Sequence, residues 1–125
     1  MNENITTKAR KAMHRYLELR GFEVLEDGWA HGKDAADFIA IDGENGDLVF
    51  VSAEARVSEG GAFPGFEPDR EAFERLAAAY LTDADVTDRA VRLDVLSMLV
   101  LSESRGLIRH HVNVPSAWSG DVGAW

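Results

Sequence analysis

The chain has 125 residues, 46% hydrophobic and 28% charged, which fits one folded domain and excludes a disordered polymer. It has no cysteine, so disulfides, iron–sulfur clusters and thiol nucleophiles are excluded. The formal charge of -9 argues against broad electrostatic binding to nucleic acid, where affinity comes from neutralised phosphates.

Ile5, Ala9, Ala12, Met13, Tyr16 and Leu17 recur at three- and four-residue steps and predict an amphipathic helix over 5–20, ended by Gly21. Residues 1–20 carry a net charge of +3 on an otherwise acidic chain, and Lys8, Lys11 and Arg15 form the basic stripe of the helix. That stripe is the candidate nucleic-acid contact, set against the ordinary reading of a solvated face. The segment has no apolar signal core and no run in the chain is long enough to span a bilayer. A cytoplasmic location without membrane contact is therefore expected.

Residues 22–26 read as a short strand, Asp27-Gly28 as a turn, and 36–41 as a second strand, apolar almost throughout and so central. The run 42–47 is turn chemistry. In the third strand, 48–57, Val49, Val51, Ala53, Ala55 and Val57 share one face, while Phe50, Ser52, Glu54 and Arg56 share the other. A Gly-rich loop over 58–66, bearing Phe63 and Phe66, leads to a helix over 68–81 with Pro68 in its first turn. Asp83, Asp85 and Asp88 follow that helix. Strands at 90–101 and 107–114 come next. The order α-β-β-β-α-β-β predicts an α/β domain over 1–115, a central mixed sheet flanked by helices, with 116–125 as a tail in which Trp118 can dock.

Several strings in this order resemble the YraN family, uncharacterised proteins with a restriction-endonuclease-like fold. Tyr16-Leu17 with Gly21-Phe22, Asp37-Phe38-Ile39-Ala40, Leu48-Val49-Phe50-Val51 leading to Arg56, and Arg92-Leu93-Asp94-Val95 carry the likeness. The resemblance implies a nuclease-type site, with an aspartate on one strand and Glu-x-Lys on its hairpin partner. Two carboxylates would hold Mg2+, which polarises a phosphate and generates hydroxide, while the lysine orients the water.

This chain keeps only Asp37 of that set. The family's preceding glutamate falls on Ala35, the Glu of Glu-x-Lys on Ser52 and its lysine on Glu54, while a first-helix glutamate falls near Arg10. Asp37 and Glu54 are thus the vestigial catalytic and metal candidates. Two carboxylates about 5 Å apart repel by roughly 3 kcal/mol at an effective dielectric of 20, and Arg56 or Arg92 is the expected relief. Lys33, the one lysine beyond the first helix, reads as a solvated loop residue. His14, His31, His110 and His111 show no metal spacing; the last two, adjacent on a strand, point to opposite faces. The expected function is a non-catalytic scaffold or interaction protein, with an unknown protein partner and no cofactor. The alternative is a metal-dependent endonuclease acting on DNA through a rearranged Asp37/Glu54 site with Mg2+.

Overall fold

The structure, a computed structural model, describes residues 3–57, 69–83, 89–102 and 104–113. The loop at 58–66 with Phe63 and Phe66, Pro68, Asp85, Asp88, and the tail at 116–125 with Trp118 lie outside the described residues. Helix α1 (Glu3–Leu19) is followed by strands β1 (Phe22–His31), β2 (Asp34–Asp42) and β3 (Leu48–Val57), then helix α2 (Arg70–Asp83) and strands β4 (Val91–Ser102) and β5 (Arg105–His111). The five strands form one sheet in the order β1-β2-β3-β4-β5. Only β3 and β4 run parallel, joined by the crossover that contains α2. This is the restriction-endonuclease-like α/β topology, with a mixed sheet between two helices.

The two faces of the sheet explain the apolar patterns. Ala9, Met13 and Leu17 of α1 pack on Phe38, Ala40, Val49, Val51, Leu96 and Met98. On the other face Phe73, Leu76, Ala77 and Tyr80 of α2 pack on Ile39, Leu48, Phe50 and Leu93. The first four residues of β3 are fully buried because that strand lies mid-sheet with a helix over each face. Burying one such side chain contributes about 1.5–3 kcal/mol. Past Val51 the pattern turns to exposed Ser52, Glu54 and Arg56 alternating with half-buried Ala53 and Ala55, as the parity of the sequence implies.

Several boundaries differ from the sequence reading. Strand β5 starts at Arg105 and ends at His111, with Val112 and Asn113 in a turn instead of the expected strand over 107–114. Asp83 is the last residue of α2 and not the first after it. Asp27-Gly28 is not a turn: β1 continues through it, and Trp29 and Ala30 pair with Ala36 and Ala35 before the chain reverses at Gly32-Lys33. Gly28 is needed inside the strand for another reason. Its φ is +93°, and a Cβ there would lie 3.2 Å from Nη2 of Arg10. The start of α2 also differs, since its cap is Asp69, whose Oδ1 accepts the Ala72 N–H at 3.0 Å.

Candidate functional site

The site forms where β2 and β3 part. Their ladder's last pair is Phe38 with Val51. One residue further out, Asp37 extends the ladder with its side chain, Oδ2 accepting the Ala53 N–H at 2.7 Å. From α1, Arg10 donates through Nη1 to Asp37 Oδ1 at 3.2 Å and through Nη2 to the Asp37 carbonyl at 2.6 Å. Its Nε donates to Asp27 Oδ1 at 3.0 Å, and the guanidinium carbon lies 4.9 Å from the centre of the Phe38 ring. Two carboxylates and a carbonyl, from β1 and β2, thus converge on one planar cation. Each such half-exposed ion pair contributes only about 0–1 kcal/mol, so the cluster matters more for geometry than for stability.

Asp27 continues the chain of contacts. Its Oδ2 lies 3.1 Å from Nδ1 of His14, whose Nε2 is 3.6 Å from Glu18. Burial raises the Asp27 pKa, but the hydrogen bonds from His14 and Arg10 outweigh it and hold the carboxyl below its ordinary range. His14 therefore has a partner at helical spacing that the sequence reading overlooked: Glu18 stands four residues on.

Asp37 and Glu54 do line one hollow, of about 100 Å³, together with Arg10. Glu54 also lines a second hollow of about 230 Å³ on the α2 side, together with Ala35 and Ser52. The positions where the resemblance implies two glutamates and a lysine thus share one cleft, which now holds neither of those glutamates and has a carboxylate, Glu54, at the position of the lysine. The relief for Asp37 is not Arg56 or Arg92, as the sequence suggested, but Arg10. Arg92 is committed elsewhere, to Asp42, Asp47 and Asp94, and Arg56 is exposed on β3, past the end of the β2–β3 pairing. Lys33 is exposed in the β1–β2 turn, where its charge acts on Asp34.

These residues do not fit a divalent cation. Among the described residues no three His, Cys, Asp or Glu side chains gather as metal ligands. A dication placed roughly 5 Å from the Arg10 guanidinium would be repelled by about 7 kcal/mol at an effective dielectric of 20. Both Asp37 oxygens already accept hydrogen bonds. Lys8, Lys11 and Arg15 are exposed on α1, and the hollow of about 350 Å³ beside Lys11 and Arg15 is also walled by Glu18 and Asp27, which interrupt the basic stripe.

A second polar cluster was legible only in part. Arg92 forks onto Asp94 through Nε at 3.0 Å and Nη2 at 3.2 Å, onto Asp42 at 2.8 Å and onto Asp47 at 2.9 Å. His110 Nε2 lies 2.7 Å from Asp94 Oδ2, and its Nδ1 lies 3.1 Å from the Tyr16 hydroxyl. The signal available was a charged pair, Arg92 and Asp94, two apart on one face of an otherwise apolar strand. The 42–47 turn does its expected work as well, Asp42 Oδ1 accepting the Glu44 N–H at 2.9 Å.

No family model matches the chain. It is similar to a UPF0102 protein of Beutenbergia cavernae, 35% identical over 99 residues that cover 77% of this chain and 82% of the relative. A UPF0102 protein of Chlorobaculum tepidum is 29% identical over 107 residues, covering 83% of this chain and 81% of that protein.

Proposed function

The chain belongs to the UPF0102 family, which is related to the YraN-like proteins of restriction-endonuclease-like fold, and we propose that this member is a non-catalytic scaffold or interaction protein. The observation that carries this reading is the seating of Arg10 on Asp37. Metal-dependent phosphodiester cleavage needs a pair of carboxylates open to a hard cation and a base or lysine beside them. Here the retained aspartate faces a fixed guanidinium, Ser52 is neutral, and Glu54 stands where an opposite charge is required. A fold survives such losses because its core does not depend on the site. The partner is a protein rather than nucleic acid, since the net charge of -9 repels phosphates away from the short basic face of α1.

The expected result is that purified protein with 10 mM MgCl2 or MnCl2 leaves single-stranded, duplex and branched DNA intact over hours. Cleavage that disappears in Asp37→Ala would overturn this reading. It would favour the second one, an endonuclease with a rearranged site, whose support is the hollow that Asp37 and Glu54 share.

A further inference from the structure

We propose that the outer edge of β5 is a docking site for an extended acidic segment of a partner protein, which adds to the five-stranded sheet as a further strand. The inference rests on the interaction-protein reading and names the chemistry of the partner. Among the described residues β5 closes one side of the sheet and pairs only with β4. Such an edge presents alternate main-chain N–H and C=O groups that an extended peptide can take. The strand Arg105–His111 holds two arginines and two histidines and no acid, on a chain whose net charge is -9.

The pleat sorts the side chains of β5 onto two faces. Ile108 and His110 point toward α1, Ile108 packing on the apolar cluster there and His110 reaching the Tyr16 hydroxyl. Arg105, Leu107 and Arg109 share the opposite face and are exposed, Leu107 by 50%. No described β5 residue belongs to the apolar cluster under α2, whose β4 members, Val91 and Leu93, precede the stretch that pairs with β5. Leu107 stands beside its buried partner Leu99, so an apolar spot lies between two guanidinium groups. A strand reading acid-x-apolar-x-acid, laid antiparallel on this edge, sets a carboxylate against each arginine and an apolar side chain against Leu107. A second copy of β5 is a poor occupant, because pairing the two would crowd their arginines and histidines together with no acid between them.

The probe is the peptide Thr-Glu-Thr-Val-Thr-Glu-Thr, acetylated and amidated at its ends, titrated into the full chain in 50 mM NaCl and followed by NMR. Saturable shifts centred on the β5 amides are expected, with Kd on the order of 10–100 μM. Leu107→Asp and Arg109→Glu change exposed residues, so both are expected to keep the wild-type fold and to weaken binding at least about tenfold. Methylating one alternate set of peptide nitrogens is expected to abolish binding and methylating the other to leave it, as main-chain pairing requires. Absence of saturable binding, or binding that both variants retain, overturns the proposal. Tighter binding of oligo(dT) at the same residues overturns it in favour of nucleic acid, and a wild-type dimer that Leu107→Asp dissolves overturns it in favour of a second copy. Uniform protection of the β5 amides from hydrogen exchange before peptide is added also overturns it, since the edge would then be taken by the chain itself. DNA cleavage by wild type would overturn the non-catalytic reading, whereas a silent peptide overturns only this inference.

Discussion

Replacing Arg92 with methionine is expected to destabilise the protein by about 3–5 kcal/mol, lowering Tm by roughly 10–20 °C. Arg92 and Asp94 are buried, the Asp94 side chain completely, and Asp42 is nearly so. Methionine fills most of the space but leaves those two carboxylates without their shared cation, and an uncompensated buried charge is what makes half of a broken pair expensive. Asp94 would retain His110 and the Asn113 N–H, whereas Asp42 would keep only its turn contacts. Lysine does not rescue the loss, because one ammonium cannot reach three carboxylates from separate segments as the guanidinium fork does. Urea unfolding of wild type, Arg92→Met and Arg92→Lys checks this, and a loss below about 1 kcal/mol in Arg92→Met contradicts it.

Acid is expected to unfold the protein through the same cluster. Burial raises the Asp94 pKa, but hydrogen bonds from His110 and Arg92 and from the Asn113 N–H outweigh it, so the folded value lies below the ordinary 3.8. Asp42 is held low in the same way, burial being outweighed by the Glu44 N–H and Arg92. A carboxyl depressed in the folded state contributes stability that is fully present above its unfolded pKa and is lost as pH falls through the folded one. Stability should therefore hold from pH 7 to about 5 and fall progressively below about 4. Charge-assisted hydrogen bonds contribute on the order of 1.5–3 kcal/mol each, so the fall is large against a typical domain's total. Asp94→Asn is expected to be less stable at pH 7 and to show a flatter dependence between pH 5 and 2. A parallel dependence in wild type and variant would remove Asp94 from the explanation.

The sheet and both helices were legible because their apolar periods differ: steps of three and four in α1 and α2, near-continuous runs in β2 and β3. What the periods hide is long-range polar pairing. Gly28 looks like a turn residue from its neighbours alone, and its real reason, the passage of Arg10 from 18 positions upstream, exists only after folding. The relief of Asp37 was correctly sought in an arginine but on the wrong element. Arg10 was in view only as the residue at a lost family glutamate. Its reach across the β1–β2 hairpin follows from how α1 lies on the sheet, which no local pattern encodes. Conversely Arg92 stands as a charge in an otherwise apolar strand, but the sequence reading assigned it to Asp37 and Glu54, whereas its partners include two of the three acidic residues of the 42–47 turn, Asp42 and Asp47.

The most direct test of the Arg10–Asp37 seat is a crystal of the wild-type protein soaked in MnCl2 and measured for anomalous scattering at the manganese edge. The expected map has no manganese peak in the hollow between Asp37 and Glu54, with Arg10 Nη1 still about 3.2 Å from Asp37 Oδ1. A manganese ion ligated by Asp37 and Glu54, with the Arg10 side chain swung out to solvent, would contradict the assignment of that position to the guanidinium.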